Sequence, residues 1–597
     1  MTAYAAPTCD MHFVLENLCG LEELAQLPGL EEATPDVVAS VIEEAGRLAS
    51  EVLAPLNREG DVQGSRLVDG VVRTPDRWKD AYNTFIEGGW NGTAFDAEYG
   101  GMGLPWIVNA TVQEMLNASN MSFALCPLLT QGAIEAIFLN ASDELKNRFL
   151  PKMVAGEWTG TMDLTEPQAG SDLGAVRTKA EPKGDHYLIT GQKIFITYGD
   201  HDLTDNIIHL VLARTPDAPS GVKGISLFVV PKILITEDGS LLGQNDLHCV
   251  SLEHKLGIHA SPTAVLTFGD KAGAVGYLVG EENRGLEYMF VMMNFARMSV
   301  GIQGVGIAER AYQQARDYAR ERVQGPTIGT QPGGRAAIVH HPDVRRMLMT
   351  MKAQIEAMRA VALTTARSID FGRCHPDAAV RAYHRARLDL LTPVVKGWCT
   401  ELAVELASLG IQVHGGMGYV EETGACQYFR DARITTIYEG TTGIQAGDLV
   451  GRKIFRDGGQ AARTLVEEIR ALDAELVSSE DPACAALRAS LKLGADAISQ
   501  VIDWILPETK RDPRLPAAAS VHVLRLFGTV VGGYQMGRAA LAAKAKLDAG
   551  EADSRFLSSK IATARFYAEQ IMPQVNALLP IIVRGSESVM LLDEEQL

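Results

Sequence analysis

Four short stretches hold residues whose types and spacing suit the binding of a flat polar ring and proton transfer by a carboxylate. In Ile437-Tyr-Glu-Gly-Thr-Thr-Gly-Ile-Gln445, Glu439 stands between two apolar residues and the flexible Gly440. A carboxylate desolvated in such a place gains basicity near neutral pH and can act as a general base. An exposed loop glutamate is the bland alternative. Met162-Asp-Leu-Thr-Glu-Pro-Gln-Ala-Gly-Ser-Asp172 is a small-residue loop whose hydroxyls, Thr165 and Ser171, suit a polar heterocycle or a phosphate-bearing chain. A well-capped turn reads equally well. In Lys193-Ile-Phe-Ile-Thr-Tyr-Gly199, a strand would put Phe195 and Thr197 on one face, because side chains alternate with period two. An aromatic beside a hydroxyl suits a stacked ring, and a plain core strand also fits. The fourth stretch is the glycine-rich Gln412-Val-His-Gly-Gly-Met-Gly-Tyr419.

Other motifs are missing. No G-x-G-x-x-G follows a strand, and there is no G-x-x-x-x-G-K-[ST], H-E-x-x-H or G-x-S-x-G. His340 and His341 are adjacent, would point apart on a helix and have no carboxylate at i+4, so no metal site is expected. Gly301-Ile-Gln-Gly-Val-Gly306 lies in a helical run, where close helix packing explains it.

The elements that must position these stretches change texture along the chain. Met11 to Leu27 reads as a short amphipathic stretch closed by Pro28-Gly29, and Thr34-Pro35 opens a helical pattern through Val38, Val41, Ile42, Ala45, Leu48 and Val52. Helices continue to about Gly156, interrupted by the loop from Glu98 to Pro105. Then β-branched runs follow in series: His186–Thr190, Gln192–Thr197, Ile207–Leu212, Ile225–Val230, Thr263–Phe268 and Val275–Val279. With no helix between each pair they imply an antiparallel sheet or barrel. Leu286, Met289, Phe290, Met293, Ala296 and Val300 restore the 3.6 period, and long helices run on past a Pro/Gly loop, Gly325 to Arg335. After Gly451, Leu487, Leu491, Ala495, Ile498, Ile502 and Ile505 mark a further helical segment. The fold class is α+β, mostly α. The expected divisions are an N-terminal extension (1–34), an N-terminal helical domain (35–157), a middle antiparallel β-domain (158–282), a C-terminal four-helix bundle (283–450) and an additional helical domain (451–597).

Composition narrows the function. The 597 residues carry 55 Lys+Arg against 74 Asp+Glu, a net charge of −19, with 46% hydrophobic residues. That excludes dominant disorder and argues against a nucleic-acid binder, which needs a basic footprint. Eight cysteines, Cys9, Cys19, Cys126, Cys249, Cys374, Cys399, Cys426 and Cys484, show no zinc or disulfide spacing, so a reducing cytoplasm is expected. Met1 to Asp10 lacks a secretory signal pattern. The nearest approach to a long apolar run, Leu286 to Gly306, is broken by Glu287, Asn294, Arg297 and Gln303, so no membrane insertion is expected.

Taken together, L-T-E-P-Q-A-G-S-D, K-I-F-I-T, Q-V-H-G-G-M-G-Y and I-Y-E-G-T-T-G-I-Q resemble the acyl-CoA dehydrogenase family, in matching order over about Thr34 to Leu449. The N-terminal extension and the added helical region, with the tail Phe556 to Leu597, resemble its roughly 600-residue bacterial branch, which includes 3-methylmercaptopropionyl-CoA and fatty acyl-CoA dehydrogenases.

The resemblance implies FAD as cofactor and Glu439 as the base that takes a proton from the α-carbon of an acyl-CoA thioester. The β-hydrogen leaves as hydride and a trans-2-enoyl-CoA forms. It implies cofactor contacts from Met162, Leu164, Thr165, Gly170 and Ser171 in the loop, and from Phe195, Ile196 and Thr197 in the strand. Arg322, Gln412, Gly415 and Gly416 match pyrophosphate and adenosine contacts, Arg322 toward a neighbouring subunit. Gly440, Thr441 and Gly443 also face the dinucleotide. Substrate contacts are implied for Ser171, Asn294, Arg297, Tyr438 and Arg452. Several positions depart from the family pattern: Phe195 stands where Trp is commoner, Asn294 where Asp is frequent, Gln324 where an aromatic usually precedes the glycine, and Gly443 where Gln or another polar residue is common. His259 sits where many members carry Arg and reads as a hydrogen-bonder within the β-domain. An electron-transferring flavoprotein is implied as electron acceptor, and a homodimer as the assembly. Two other readings stay open on the same fold: a flavin oxidase or monooxygenase, and a non-catalytic acyl-CoA-binding assembly factor.

Overall fold

The computed structural model describes residues 3–236, 239–328, 334–477, 479 and 481–597, so residues 329–333 of the expected Gly325–Arg335 loop lie outside the described residues. The chain forms two compact units, one from Glu44 to Ser299, the other from Met1–Glu43 together with Val300–Leu597.

In the Glu44–Ser299 unit, helix α1 (Trp106–Asn140) is buried on all sides over most of its length. It is two helices end to end. Asn120 leaves helical geometry (φ −157°, ψ 87°), its Oδ1 accepts from the Phe123 N–H, and its Nδ2 donates to the Leu53 carbonyl. The break therefore carries its own cap. Eight strands build the main sheet: β1 (Trp158–Asp163), β2 (Lys179–Lys183), β3 (His186–Thr197), β4 (Asn206–Ala213), β5 (Ser226–Pro231), β6 (Leu247–Leu252), β7 (Thr263–Phe268) and β8 (Ala274–Leu278). Their order is β6-β7-β3-β8-β5-β4-β1, with β2 also paired to β3. The sheet is antiparallel as expected, except that β1 runs parallel to β4, with Trp158 opposite Asn206 and Asp163 opposite Val211.

Helix α1 lies directly on β1. The Gly160 N–H donates to Thr130 Oγ1 at 3.0 Å, and a Cβ on Gly160 would sit 2.5 Å from that of Ala133. Strand β3 is continuous where the runs read as two, because Gly191 is a close-approach residue: a Cβ there would lie 2.5 Å from Thr178 Oγ1. Three strands of this sheet escape the pattern: β1, β2 and β6. Strand β2 contains Pro182 and buries only Ala180, as an edge strand does, and β6 alternates weakly.

In the second unit, α2 (Gly285–Glu321) continues out of the first. It is followed by α3 (Pro342–Cys374), α4 (Ala378–His414), α5 (Gln460–Leu476), α6 (Pro482–Arg511), α7 (Arg514–Asp548) and α8 (Ser554–Phe566). Gly301 and Gly304 of α2 press on α4, where a Cβ would lie 2.4 Å from Val395 Cγ1 and 2.8 Å from the Cys399 carbonyl oxygen, the packing role expected of that glycine run. The apolar face of α6, from Leu487 to Ile505, is buried as its period requires. Helix α7 packs on α4 by the same device: Gly528 and Gly532 give way to the Trp398 ring.

Residues Met11 to Leu27 form two helices, Thr8–Asn17 and Leu21–Leu24, with Gly20 in left-handed geometry between them. Asp10 is buried between Arg359 of α3 (2.6 Å) and Lys560 of α8 (2.7 Å), while Arg359 also reaches Glu309 and Lys560 reaches Glu356. Burial alone would raise the Asp10 carboxyl; the Lys560 and Arg359 cations overcome it and hold the group well below its usual range.

Among the described residues, two helices, Trp106–Asn140 and Arg514–Asp548, are long and apolar enough to cross a bilayer by length and composition. Neither is the apolar run Leu286–Gly306 that stands out in the sequence. The most apolar windows of the two helices are 89% and 72% buried by packing within the protein. A cavity of about 360 Å³ lined by Tyr383, Arg387, Leu391, Thr464 and Glu468 contains none of the candidate residues.

Candidate active site

The candidate residues divide between the two units. In Glu44–Ser299 the loop residues Leu164 and Thr165 are brought beside the strand of Phe195 and Thr197. The Ile194 N–H donates to the Thr165 carbonyl at 2.9 Å, so the loop after β1 lies beside β3. Two residues without an assigned role clamp it. Lys193, fully buried, donates from Nζ to the Leu164 carbonyl at 3.0 Å and to Glu166 Oε1 at 2.8 Å. The Glu166 carboxylate also accepts from the Arg177 and Thr178 N–H groups and the Thr178 hydroxyl. Burial works against the Glu166 charge, but Lys193 and these donors outweigh it and hold the carboxyl at about 2.

The period-two expectation for Phe195 and Thr197 does not survive intact. Phe195 has a left-handed backbone (φ 61°), and the pairing of β3 with β7 slips between Ala264 and Leu266. A bulge results, and the core positions Lys193 and Ile196 fall three residues apart instead of two. Phe195 is 58% exposed, an unusual state for a phenylalanine in a sheet, and Thr197 is half-buried. Among the described residues, no protein group engages the side-chain hydroxyls of Thr165, Ser171 or Thr197. Open hydroxyls beside an exposed aromatic ring fit the polar edge and face of an isoalloxazine. Met162 is half-buried, Leu164 buried, and Gly170 and Ser171 exposed. On α2, Arg297 is buried and donates to Asn294 Oδ1 at 3.2 Å, while Asn294 is exposed.

In the other unit, Glu439 is half-buried and left-handed (φ 56°), followed by Gly440 at φ 88°. A non-glycine residue held there stores about 1–3 kcal/mol of strain, a cost found at functional turns. The carbonyls of this turn are met by buried donors. Lys396 Nζ of α4 lies 2.6 Å from the Gly440 oxygen, and Gln445 Nε2 lies 3.3 Å from the Glu439 oxygen and 3.4 Å from that of Gly440. The Thr442 hydroxyl donates to Glu401, and that of Tyr438 to Gln303. Burial pushes the Tyr438 phenol far above its usual value, so it remains neutral. Thr441 Oγ1 accepts from the Ile444 N–H and caps the helix Thr442–Asp448. Gly443 is exposed, and Arg452 is exposed with Nε 3.4 Å from Asp448.

Gln412, Gly415 and Gly416 stand at the C-terminal end of α4, exposed, with open space where a Cβ would be on either glycine. Tyr318 stacks on His414 at 4.5 Å, which brings the end of α2, with exposed Arg322, beside them. Gln412 is sixteen residues beyond Lys396 on α4, about 24 Å along the axis. The chain thus holds Gln412, Gly415 and Gly416 far from its own Glu439 turn.

Lys193, Glu166, Lys396 and Gln445, which hold the backbone of these segments, are not among the candidates read from the sequence. Three of them lie inside the motifs quoted above. The signal for Lys396 was a lone cation in the apolar run Leu390 to Leu402 of a helix.

The sequence matches four domains in order: acyl-CoA dehydrogenase N-terminal (39–157), middle (161–270) and C-terminal (283–454) domains, then a segment described as acetyl-CoA dehydrogenase C-terminal like (465–593). The chain belongs to the acyl-CoA dehydrogenase family, a family of FAD-dependent oxidoreductases. It is 50% identical over 96% of its length to the 3-methylmercaptopropionyl-CoA dehydrogenase of Ruegeria pomeroyi, covering 97% of that protein. It is 37% identical to a butyryl-CoA dehydrogenase of Syntrophomonas wolfei over 92% of both chains. Caenorhabditis elegans ACDH-11, solved in complex with C11-CoA, shares the fold with a TM-score of 0.73 over 98% of this chain and 96% of its own, at 21% identity.

Proposed function

We propose that the protein is an FAD-dependent dehydrogenase that converts a short acyl-CoA to its trans-2-enoyl-CoA, with 3-methylmercaptopropionyl-CoA and straight-chain thioesters of similar length as substrates. The observation that carries the reading is Glu439: a half-buried carboxylate on a strained left-handed turn whose carbonyls are fixed by two buried donors. That is costly geometry for a solvated loop residue and suits a carboxylate held in one orientation to take the α-proton. The 50% identity to a 3-methylmercaptopropionyl-CoA dehydrogenase supports the substrate class.

Thr165, Ser171, Phe195 and Thr197 would hold the flavin ring, with Met162, Leu164, Gly170 and Ile196 shaping its seat. Bound FAD supplies the oxidising ring that accepts the β-hydrogen with its electron pair. Ser171, Asn294, Arg297, Tyr438 and Arg452 would meet the thioester, Tyr438 as a neutral wall. Arg322, Gln412, Gly415 and Gly416, remote from Glu439 on their own chain, would serve the dinucleotide of a second copy, whereas Gly440, Thr441 and Gly443, beside the base, would face the dinucleotide bound at the Glu439 turn. That division supports a homodimer. Electrons would then leave to an electron-transferring flavoprotein.

The test is a dye-reduction screen of the purified holoenzyme across acyl-CoA lengths. The thioether sulfur replaces one methylene, so 3-methylmercaptopropionyl-CoA and pentanoyl-CoA have acyl chains of equal length. Discrimination between such neighbours is worth only about 1–3 kcal/mol in an apolar pocket. Both should bleach the flavin. Failure of every acyl-CoA to do so would refute the reading.

A further inference from the structure

The Glu439 turn is held from its carbonyl side by Lys396 and Gln445, both fully buried. Burying an ammonium costs several kcal/mol, so its place against this carbonyl is an expensive one. The contact is also tightly fitted. A Cβ on Gly440 would lie 2.7 Å from Gln445 Nε2, so the amide occupies the space a side chain would take. Gly397, next to Lys396, gives room on the other side: a Cβ there would meet Gln445 Cβ at 3.4 Å and Leu524 Cδ2 of α7 at 2.5 Å.

The two donors act on consecutive left-handed residues. In that geometry neither carbonyl belongs to a helix or strand, and the direction of the Glu439 side chain follows from the φ/ψ values its carbonyl group locks. We infer that Lys396 and Gln445 are positioning residues for the base: they fix the peptide planes of residues 439 and 440 and thereby aim the Glu439 carboxylate. The inference rests on the reading of Glu439 as the base. Neither residue touches substrate in this role. Losing one should therefore slow proton abstraction more than it weakens binding, since a displacement of about 1 Å in reacting groups costs on the order of 100-fold.

The experiment uses the full-length holoenzyme with butyryl-CoA, 3-methylmercaptopropionyl-CoA and butyryl-CoA deuterated at the α-carbon. Lys396→Met and Gln445→Met each keep length and remove the donor. Expected are a fall in kcat of roughly 10- to 100-fold, KM within about threefold, and a larger α-deuterium isotope effect as abstraction becomes rate-limiting, with flavin content and melting temperature near those of the parent. If both variants keep kcat within about twofold and an unchanged isotope effect while Glu439→Gln is inactive, the positioning role is wrong and the base assignment stands. If Glu439→Gln turns over normally, the base assignment itself fails. Loss of flavin or of the folded state in both variants also overturns the inference, because the pair then supports structure alone.

Discussion

Lys193 Nζ lies 2.8 Å from Glu166 Oε1 with both side chains closed to solvent, and this one ion pair ties the loop that carries Thr165 to the strand that carries Phe195 and Thr197. Two segments distant in pattern, a turn and a bulged strand, become one surface because a buried charge on each requires the other.

Removing one charge should be severe. Glu166→Gln strands the Lys193 ammonium and is expected to lower stability by about 3–5 kcal/mol and to release flavin on dilution. The double variant Glu166→Gln/Lys193→Met should recover much of that loss. The Glu166 carboxyl is depressed to about 2, so its contribution is full above the unfolded carboxyl value of 4.5 and disappears as pH falls through about 2. Denaturant melts of both variants at pH 7, and of the parent down the acid range, check this.

His259 should give the opposite sign. Its Nδ1 lies 2.9 Å from Asp61 Oδ1 and its Nε2 lies 3.0 Å from the Lys255 carbonyl. Both ring nitrogens face acceptors, so the imidazolium is favoured, and the hydrogen bond to Asp61 raises its pKa above 6.5. That stabilisation is full below the unfolded pKa and is lost as pH rises through the folded one. His259→Gln is expected to cost about 1–2 kcal/mol at mildly acidic pH and less at alkaline pH, read from melts across that range.

The additional helices should prove integral to the bundle. A Cβ on Gly528 would sit 2.1 Å from a Trp398 ring atom, one face of the helix that holds Lys396. Gly528→Ala must push α7 off α4 and is expected to cost about 1–3 kcal/mol, with a fall in kcat if Leu524 shifts Gln445. Calorimetry and steady-state rates on one preparation read both effects.

Much of this was legible in the chain, for reasons that differ by element. The helical faces of α2 and α6 show because their period is long and unbroken. Strand β1 was invisible: Trp-Thr-Gly-Thr-Met-Asp has no alternation, since all but Met162 is buried. The bulge at Phe195 defeated period-two counting because one left-handed residue resets the phase. The motif glutamate at 439 stood out by type, whereas Lys396 and Gln445 act through backbone carbonyls, which no side-chain pattern records. The first residues of the chain gave an amphipathic signal but not the destination of Asp10, whose partners lie on α3 and α8.

The most direct measurement is stopped-flow reduction of the flavin in Glu439→Gln by acyl-CoA under anaerobic conditions. The amide keeps the size of the carboxylate and the backbone turn, so FAD and thioester should still bind while the flavin bleaches on the order of 100- to 10,000-fold more slowly than in the parent. Bleaching at a near-parental rate would show that another group takes the α-proton.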